Sequence, residues 1–192
     1  DREEMAQFLS ILKSISDNHH RDADFNANIK KILKHFQDQI KQTLSNEKIF
    51  RIFESNKLIV LFLLKNGIID FTETIYKELI NNIEANGNRY CHFFYPELEK
   101  LKGAKAMKSI KDEILSIDPT AFDNFESKRQ EGENDSYICL LIRNDSVEEF
   151  IAFVQRQNIS VCSEIRQSIF ETNSFLIENK NTSLIEYSAF FG

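Results

Sequence analysis

Two stretches, "SNKLIVLFLLKNGI" at residues 55–68 and "DSVEEFIAFVQRQN" at residues 145–158, decide how this chain folds. Aligned from Ser55 and Asp145, they carry apolar residues at the same positions: Val60, Phe62, Leu63 and Leu64 in the first, Phe150, Ala152, Phe153 and Val154 in the second. Apolar residues three and four apart line one face of an α-helix, and neither stretch alternates as a half-buried strand does. Each comes after another short apolar run, "NEKIFRIFES" or "NDSYICLLIRN", with almost no linker. Each therefore reads as the second helix of a tight helical pair, with Gly67 placed to close the first pair in a left-handed conformation.

Helical spacing extends outward from these pairs. Met5, Phe8, Leu12 and Ile15, then Phe25, Ile29, Ile32, Phe36, Ile40 and Leu44, predict two long amphipathic helices separated by the polar run "DNHHRDAD", a helical hairpin over 1–44. Irregular helical pairs occupy 45–132. Asp70 and Glu73 have the spacing of a helix N-cap and its third residue, Gly87 fits a C-cap, and Pro96 fits a helix restart. Asp118-Pro119 predicts a further helix start, Gly132 its end, and Asp145 with Glu148 a capping box on the second pair. Residues 158–182 are less regular, with Ile165, Ile169 and Phe170 suggesting one more turn of helix before a polar loop.

Composition points the same way. Five glycines and two prolines in 192 residues leave few places for the tight turns of an all-β fold, so an all-α class is expected. Cys91, Cys139 and Cys162 are odd in number and set among apolar residues, which predicts free buried thiols in a reducing, cytoplasmic compartment. No run approaches the roughly 18 apolar residues of a membrane span. Of the formal net charge of -6, all the excess lies after residue 120, where twelve acids face six bases; a nucleic-acid surface is not expected there.

Motifs of catalysis and ligand binding are missing from the sequence. There is no glycine-rich phosphate loop, GxSxG, HExxH or EF-hand pattern. Of His19, His20, His35 and His92, only His92 stands beside a candidate metal ligand, Cys91. Neighbouring side chains on a helix diverge by about 100°, which favours a structural role for the pair. Lys100, Lys102, Lys105, Lys108 and Lys111 are read as a solvated face, with an RNA or anionic-lipid contact as the remote alternative. The aromatic cluster "YCHFFYPE" reads as core. No catalytic residue, cofactor or metal is expected.

The helix of residues 55–68 and its counterpart resemble the second helix of an ankyrin repeat, whose pattern is close to GHxEVVxLLLxxGA. The closing "SLIEYSAFFG" resembles that repeat's TPLHxAAxxG turn and first helix, with Ser183 at the threonine, Ile185 at the leucine, Ser188 and Ala189 at the small pair and Gly192 at the glycine. Leu184 replaces the proline and Glu186 the histidine, and the spacings of 90 and 47 residues are not multiples of the ~33-residue period. Together with "RYCHFFYPE", "FDNFESKRQEGENDSYICLLIRNDSVEEFI" and "SIFETNSFLIE", these features resemble the N-terminal domain of unknown function in protozoan, trichomonad-type ankyrin-repeat proteins.

The resemblance implies an irregular helical-hairpin solenoid with an N-terminal helical cap: a degenerate ankyrin-like unit near 46–68, another within 133–192, and the first half of a following repeat. On this reading Phe190 and Phe191 face a missing neighbour, at an edge where downstream ankyrin repeats dock. The function expected is a non-enzymatic protein–protein interaction module with protein partners of unspecified identity. The alternative is a purely structural or self-associating cap for those repeats.

Overall fold

A computed structural model describes residues 1–18, 23–81, 89–173, 176–177 and 181–191. His19, His20, Gly87 and Gly192 lie outside these. Among the described residues the chain is all-helical, 69% helix with no strand, and one isolated antiparallel bridge joins Glu164 to Ser183. It divides into two compact units, Asp1–Asp123 and Asn124–Gly192.

The first unit begins with α1 (Arg2–Asn18), α2 (Ala23–His35) and α3 (Gln37–Thr43). The last two carry the period expected of one long helix. Phe36 (φ -93°, ψ 8°) interrupts it, yet its amide still donates to Ile32 and its carbonyl accepts from Ile40. Next come α4 (Asn46–Phe53), α5 (Lys57–Lys65), α6 (Glu73–Asn81), α7 (Arg89–Phe93), α8 (Tyr95–Lys102) and α9 (Lys108–Ile117). α1 packs on α2, α3 and α4; α4 meets α5 and α6; α7 meets α6, α8 and α9. One core runs from α1 to α7, from Leu9, Leu33 and Ile40 through Phe53, Leu63 and Ile75 to Phe93 and Phe94. Residues 1–44 are thus part of a larger unit.

Short polar side chains decide where these helices start. Ser45 accepts from the Lys48 amide, and Asn56 from the Ile59 amide. Asn56 also donates to Ser16 Oγ at 3.2 Å and Asp17 Oδ1 at 2.9 Å, tying the start of α5 to the end of α1. Pro96 sits in the first turn of α8 as expected, where its missing amide costs nothing. The cap of α6 is Thr72, whose Oγ1 accepts from the Ile75 amide at 3.3 Å. Asp70, expected in that role, instead exchanges backbone bonds with the Asn46 amide group at 2.7 and 2.8 Å.

The second unit holds α10 (Phe125–Glu131), α11 (Tyr137–Arg143), α12 (Val147–Gln157) and α13 (Leu184–Phe191). Asp118-Pro119 does not start a helix: Asp118 Oδ1 accepts from the amide and hydroxyl of Thr120, both at 2.9 Å, and holds a turn. The helix begins seven residues later and ends, as expected, at Gly132 (φ 71°). Its side chains pack with the C-terminal residues, since Phe125 lies edge-on against Phe170 at 5.1 Å and Lys128 pairs with Asp135 at 3.0 Å. The unit boundary therefore falls at 123/124 and not at Gly132.

Candidate functional site

In α11 and α12 the second unit forms the tight helical pair read from the sequence. The link between them is a Schellman motif: Asp145 takes the left-handed conformation (φ 52°), its amide donates to Ile142 and the Ser146 amide to Leu141. α5 ends in the same way, with Gly67 left-handed at φ 61° and the Gly67 and Ile68 amides donating to Leu64 and Leu63. The capping box expected of Asp145 and Glu148 is not formed. Asp145 is occupied as the end of α11, and Ser146 stands at the N-cap of α12 without a side-chain bond.

The two matched helices differ in their surroundings. In α5, Val60 and Leu63 are buried at 1% and 0% exposure, with Phe62 and Leu64 half-buried. In α12 nothing is buried; Phe150, Phe153 and Val154 are only half-covered. Phe153 packs edge-on against Tyr137 at 5.1 Å. Opposite faces of α11 hold Cys139 and Leu141, both buried, while Tyr137 and Leu140 point outward with Val147 and Ile151 of α12. Of the ten large hydrophobic residues that stand exposed among the described residues, six lie in the second unit, though it is the smaller one.

α13 packs against α11. Ser183 and Glu186 form a capping box: the Ser183 amide and hydroxyl donate to Glu186 Oε2 at 2.8 and 2.7 Å, and Ser183 Oγ accepts from the Glu186 amide at 3.3 Å. These bonds hold the Glu186 carboxyl below its ordinary range. Inward on α13 are Leu184 and Tyr187, at 2% and 0% exposure; Ile185 is 56% exposed, and Ala189 is exposed as well. Ser188 is half-buried and donates to the Leu184 carbonyl. Phe190 and Phe191 do have neighbours, since both pack on the cluster of Cys139, Leu176 and Tyr187.

The irregular stretch after α12 is held by buried polar groups that hydropathy could not reveal. Asn134 donates to the Arg166 carbonyl at 2.7 Å, and its amide reaches Glu171 at 3.2 Å. Glu171 accepts in turn from the Asn173 amide, and the amide and hydroxyl of Thr172 both reach the Gly132 carbonyl. Arg143 joins this frame to α13, with Nη1 donating to the Asn134 carbonyl at 2.5 Å and to Tyr187 Oη at 3.0 Å.

The remaining candidates are dispersed. Cys91 and Cys139 are buried, and burial pushes both thiols up to about 11. Cys162, also expected to be buried, is exposed; it lies in the loop after α12, outside any helix. His92 is buried with Nε2 3.4 Å from Glu113 Oε2. Among the described residues no three His, Cys, Asp or Glu gather as a metal site, and no helix is long and apolar enough to cross a membrane. The lysine stretch does not share one face. Gly103 ends α8, Lys102 pairs with Glu73 at 2.5 Å, Lys108 pairs with Asp112 at 2.6 Å, and Lys111 lies over Phe122. In the first unit a cavity of about 520 Å³ opens between Leu64, Ile69, Phe71, Pro96 and Leu101, with Lys65, Lys100, Asp70 and Glu97 also in its lining.

No protein-family model matches the chain, and no curated protein or solved structure is detectably similar to it.

Proposed function

We propose that this chain is a non-enzymatic protein–protein interaction module, built as an irregular solenoid of helical pairs with ankyrin-like units near 46–68 and within 133–192. The observation that carries the reading is the α11–α12 pair: a hairpin closed by a Schellman motif that keeps Tyr137, Leu140, Val147 and Ile151 in solvent. Large side chains held outward on helices bind a partner with little ordering cost, and no reacting group is needed. The matching closures of α5 at Gly67 and of α12 at Asn158, whose amide donates to Gln155 while the Ile159 amide donates to Val154, support a repeated second helix. The Ser183–Glu186 box supports the repeat-turn reading of "SLIE", because it supplies a hydrogen-bonded turn between the positions that the resemblance gives to threonine and histidine.

The immobilised chain is expected to retain a protein from a lysate of its own cells, and the purified pair to bind saturably at 1:1. Retention no better than on a heat-denatured chain would contradict the reading. A second reading, a cap for helical repeats stacked on the same edge, is favoured by Ile185 and Val161, both exposed and joined by a backbone bond of 3.0 Å. Repeats that melt at the same temperature with and without residues 1–192 would exclude it.

A further inference from the structure

In the first unit, the cavity of about 520 Å³ lies between the end of α5 with the turn that follows it and one face of α8. Pro96, Glu97, Lys100 and Leu101 share that face, being one and four residues apart on the helix. Both walls are fixed without a ligand. On the turn, the Gly67 carbonyl accepts from Lys41 Nζ at 2.8 Å, and the Asp70 amide and carbonyl are both held by the Asn46 side chain. α8 is tied to α6 by Lys102, which pairs with Glu73 at 2.5 Å and lies 4.3 Å from the centre of the Tyr76 ring. A preformed cavity of this volume is in the range of small-molecule sites, roughly 300–1,000 Å³.

The lining sets the chemistry. Leu64, Ile69, Phe71, Pro96 and Leu101 give apolar walls, while Lys65, Lys100, Asp70 and Glu97 add two cations and two anions. That balance disfavours a ligand of one sign, since an anion would meet Asp70 and Glu97 and a cation would meet Lys65 and Lys100. Lys65 and Glu97 each have a further interaction in the fold. Lys100 and Asp70 are both exposed. Asp70 bonds through its backbone, and neither its carboxylate nor the Lys100 ammonium pairs with any described residue. One stands on the turn and the other on α8. A molecule with one charge of each sign on an apolar body therefore matches both charged groups and the walls between them, through charge-assisted hydrogen bonds and apolar burial.

We propose that this cavity binds a small zwitterion with an apolar body, the chemistry of a free apolar amino acid or an apolar dipeptide, with its carboxylate on Lys100, its ammonium on Asp70 and its apolar part against Phe71, Pro96 and Leu101. The site lies wholly in the first unit and does not depend on the interaction-module reading.

The test titrates the full, isotope-labelled chain by amide NMR with L-phenylalanine and with leucyl-phenylalanine, and in parallel with phenylacetate and phenethylamine, which each keep the ring and one charge. At least one zwitterion is expected to give saturable shifts centred on residues 64–71 and 96–101, and the tighter of the two identifies the source. Its affinity should exceed that of either singly charged probe by about tenfold. Lys100→Met and Asp70→Asn should each lower it by about tenfold, and Lys100→Arg, which keeps the cation, should restore most of it. In Lys100→Met the zwitterion should bind no better than phenethylamine, and in Asp70→Asn no better than phenylacetate. Both positions are exposed and Asp70→Asn keeps the backbone bonds to Asn46, so far-UV circular dichroism should not change. No saturable shift with either zwitterion, shifts centred elsewhere in the chain, a singly charged probe that binds as well, or affinity unchanged in either variant overturns the proposal. None of these outcomes bears on whether the chain retains a protein from lysate, so the two readings fail separately.

Discussion

Ser183 and Glu186 close on each other across the first turn of α13, the serine donating through its amide and hydroxyl and accepting through the same hydroxyl. Ser183→Ala removes the cap acceptor and should lower stability by about 1 kcal/mol, measured by urea denaturation. Glu186 adds a pH signature. Its folded-state carboxyl is held below the ordinary value of 4.5, so its contribution is complete above that pH and is lost as pH falls through the lowered folded value. The Tm difference between wild type and Glu186→Gln should be present at pH 7 and close below pH 4.5. A difference that does not change with pH would contradict the bond.

The closures at Gly67, Asp145 and Asn158 predict opposite effects of substitution. Gly67 stands at φ 61° with nothing within 4 Å of where a Cβ would be, so Gly67→Ala meets only backbone strain. It should cost about 1 kcal/mol. Asp145 and Asn158 hold the same conformation at φ 52° with a side chain attached. Asp145→Gly and Asn158→Gly should therefore be neutral or stabilising by a few tenths of a kcal/mol, despite the added freedom of the unfolded chain. Loss of more than ~1 kcal/mol in either glycine variant would show that its side chain contributes to the native state.

Thiol chemistry should separate the cysteines. Cys162 is exposed, while Cys91 and Cys139 are buried with thiols pushed up to about 11. At pH 8 a disulfide reagent should titrate one thiol quickly and the other two only on unfolding. Two fast thiols in the native protein would contradict the packing around α7 or α11.

Matched sequence positions should respond unequally to mutation. Leu63 of α5 is 0% exposed, and Leu63→Ala should cost about 2–5 kcal/mol. Ile151 of α12 is 48% exposed, and Ile151→Ser should stay within about 0.5 kcal/mol. Chemical denaturation of the two variants measures the contrast directly.

That contrast also marks how far the sequence could be read. Periodicity placed the helices of both pairs, and Gly67, Pro96 and Gly132 marked the end of α5, the start of α8 and the end of α10, because proline and glycine act locally. Which apolar face finds a cover depends on distant segments, and so "SNKLIVLFLLKNGI" and "DSVEEFIAFVQRQN" look alike while only the first is buried. Cap residues were misplaced where two candidates lay close together, as with Asp70 and Thr72, since the choice turns on which side chain is already bonded elsewhere. The helical turn suggested by Ile165, Ile169 and Phe170 does not form, because that segment is anchored through the buried polar groups of Asn134, Glu171 and Asn173 and not through an apolar helix face. The exposed hairpin could be found in the sequence only as a helix; its uncovered side is a property of the packing.

Hydrogen–deuterium exchange of the full chain, alone and saturated with a protein partner retained from lysate, tests the interaction surface most directly. Binding through the hairpin predicts slowed exchange concentrated over residues 137–157, where Tyr137, Leu140, Val147 and Ile151 stand exposed. Slowed exchange elsewhere in the chain with residues 137–157 unchanged would contradict it.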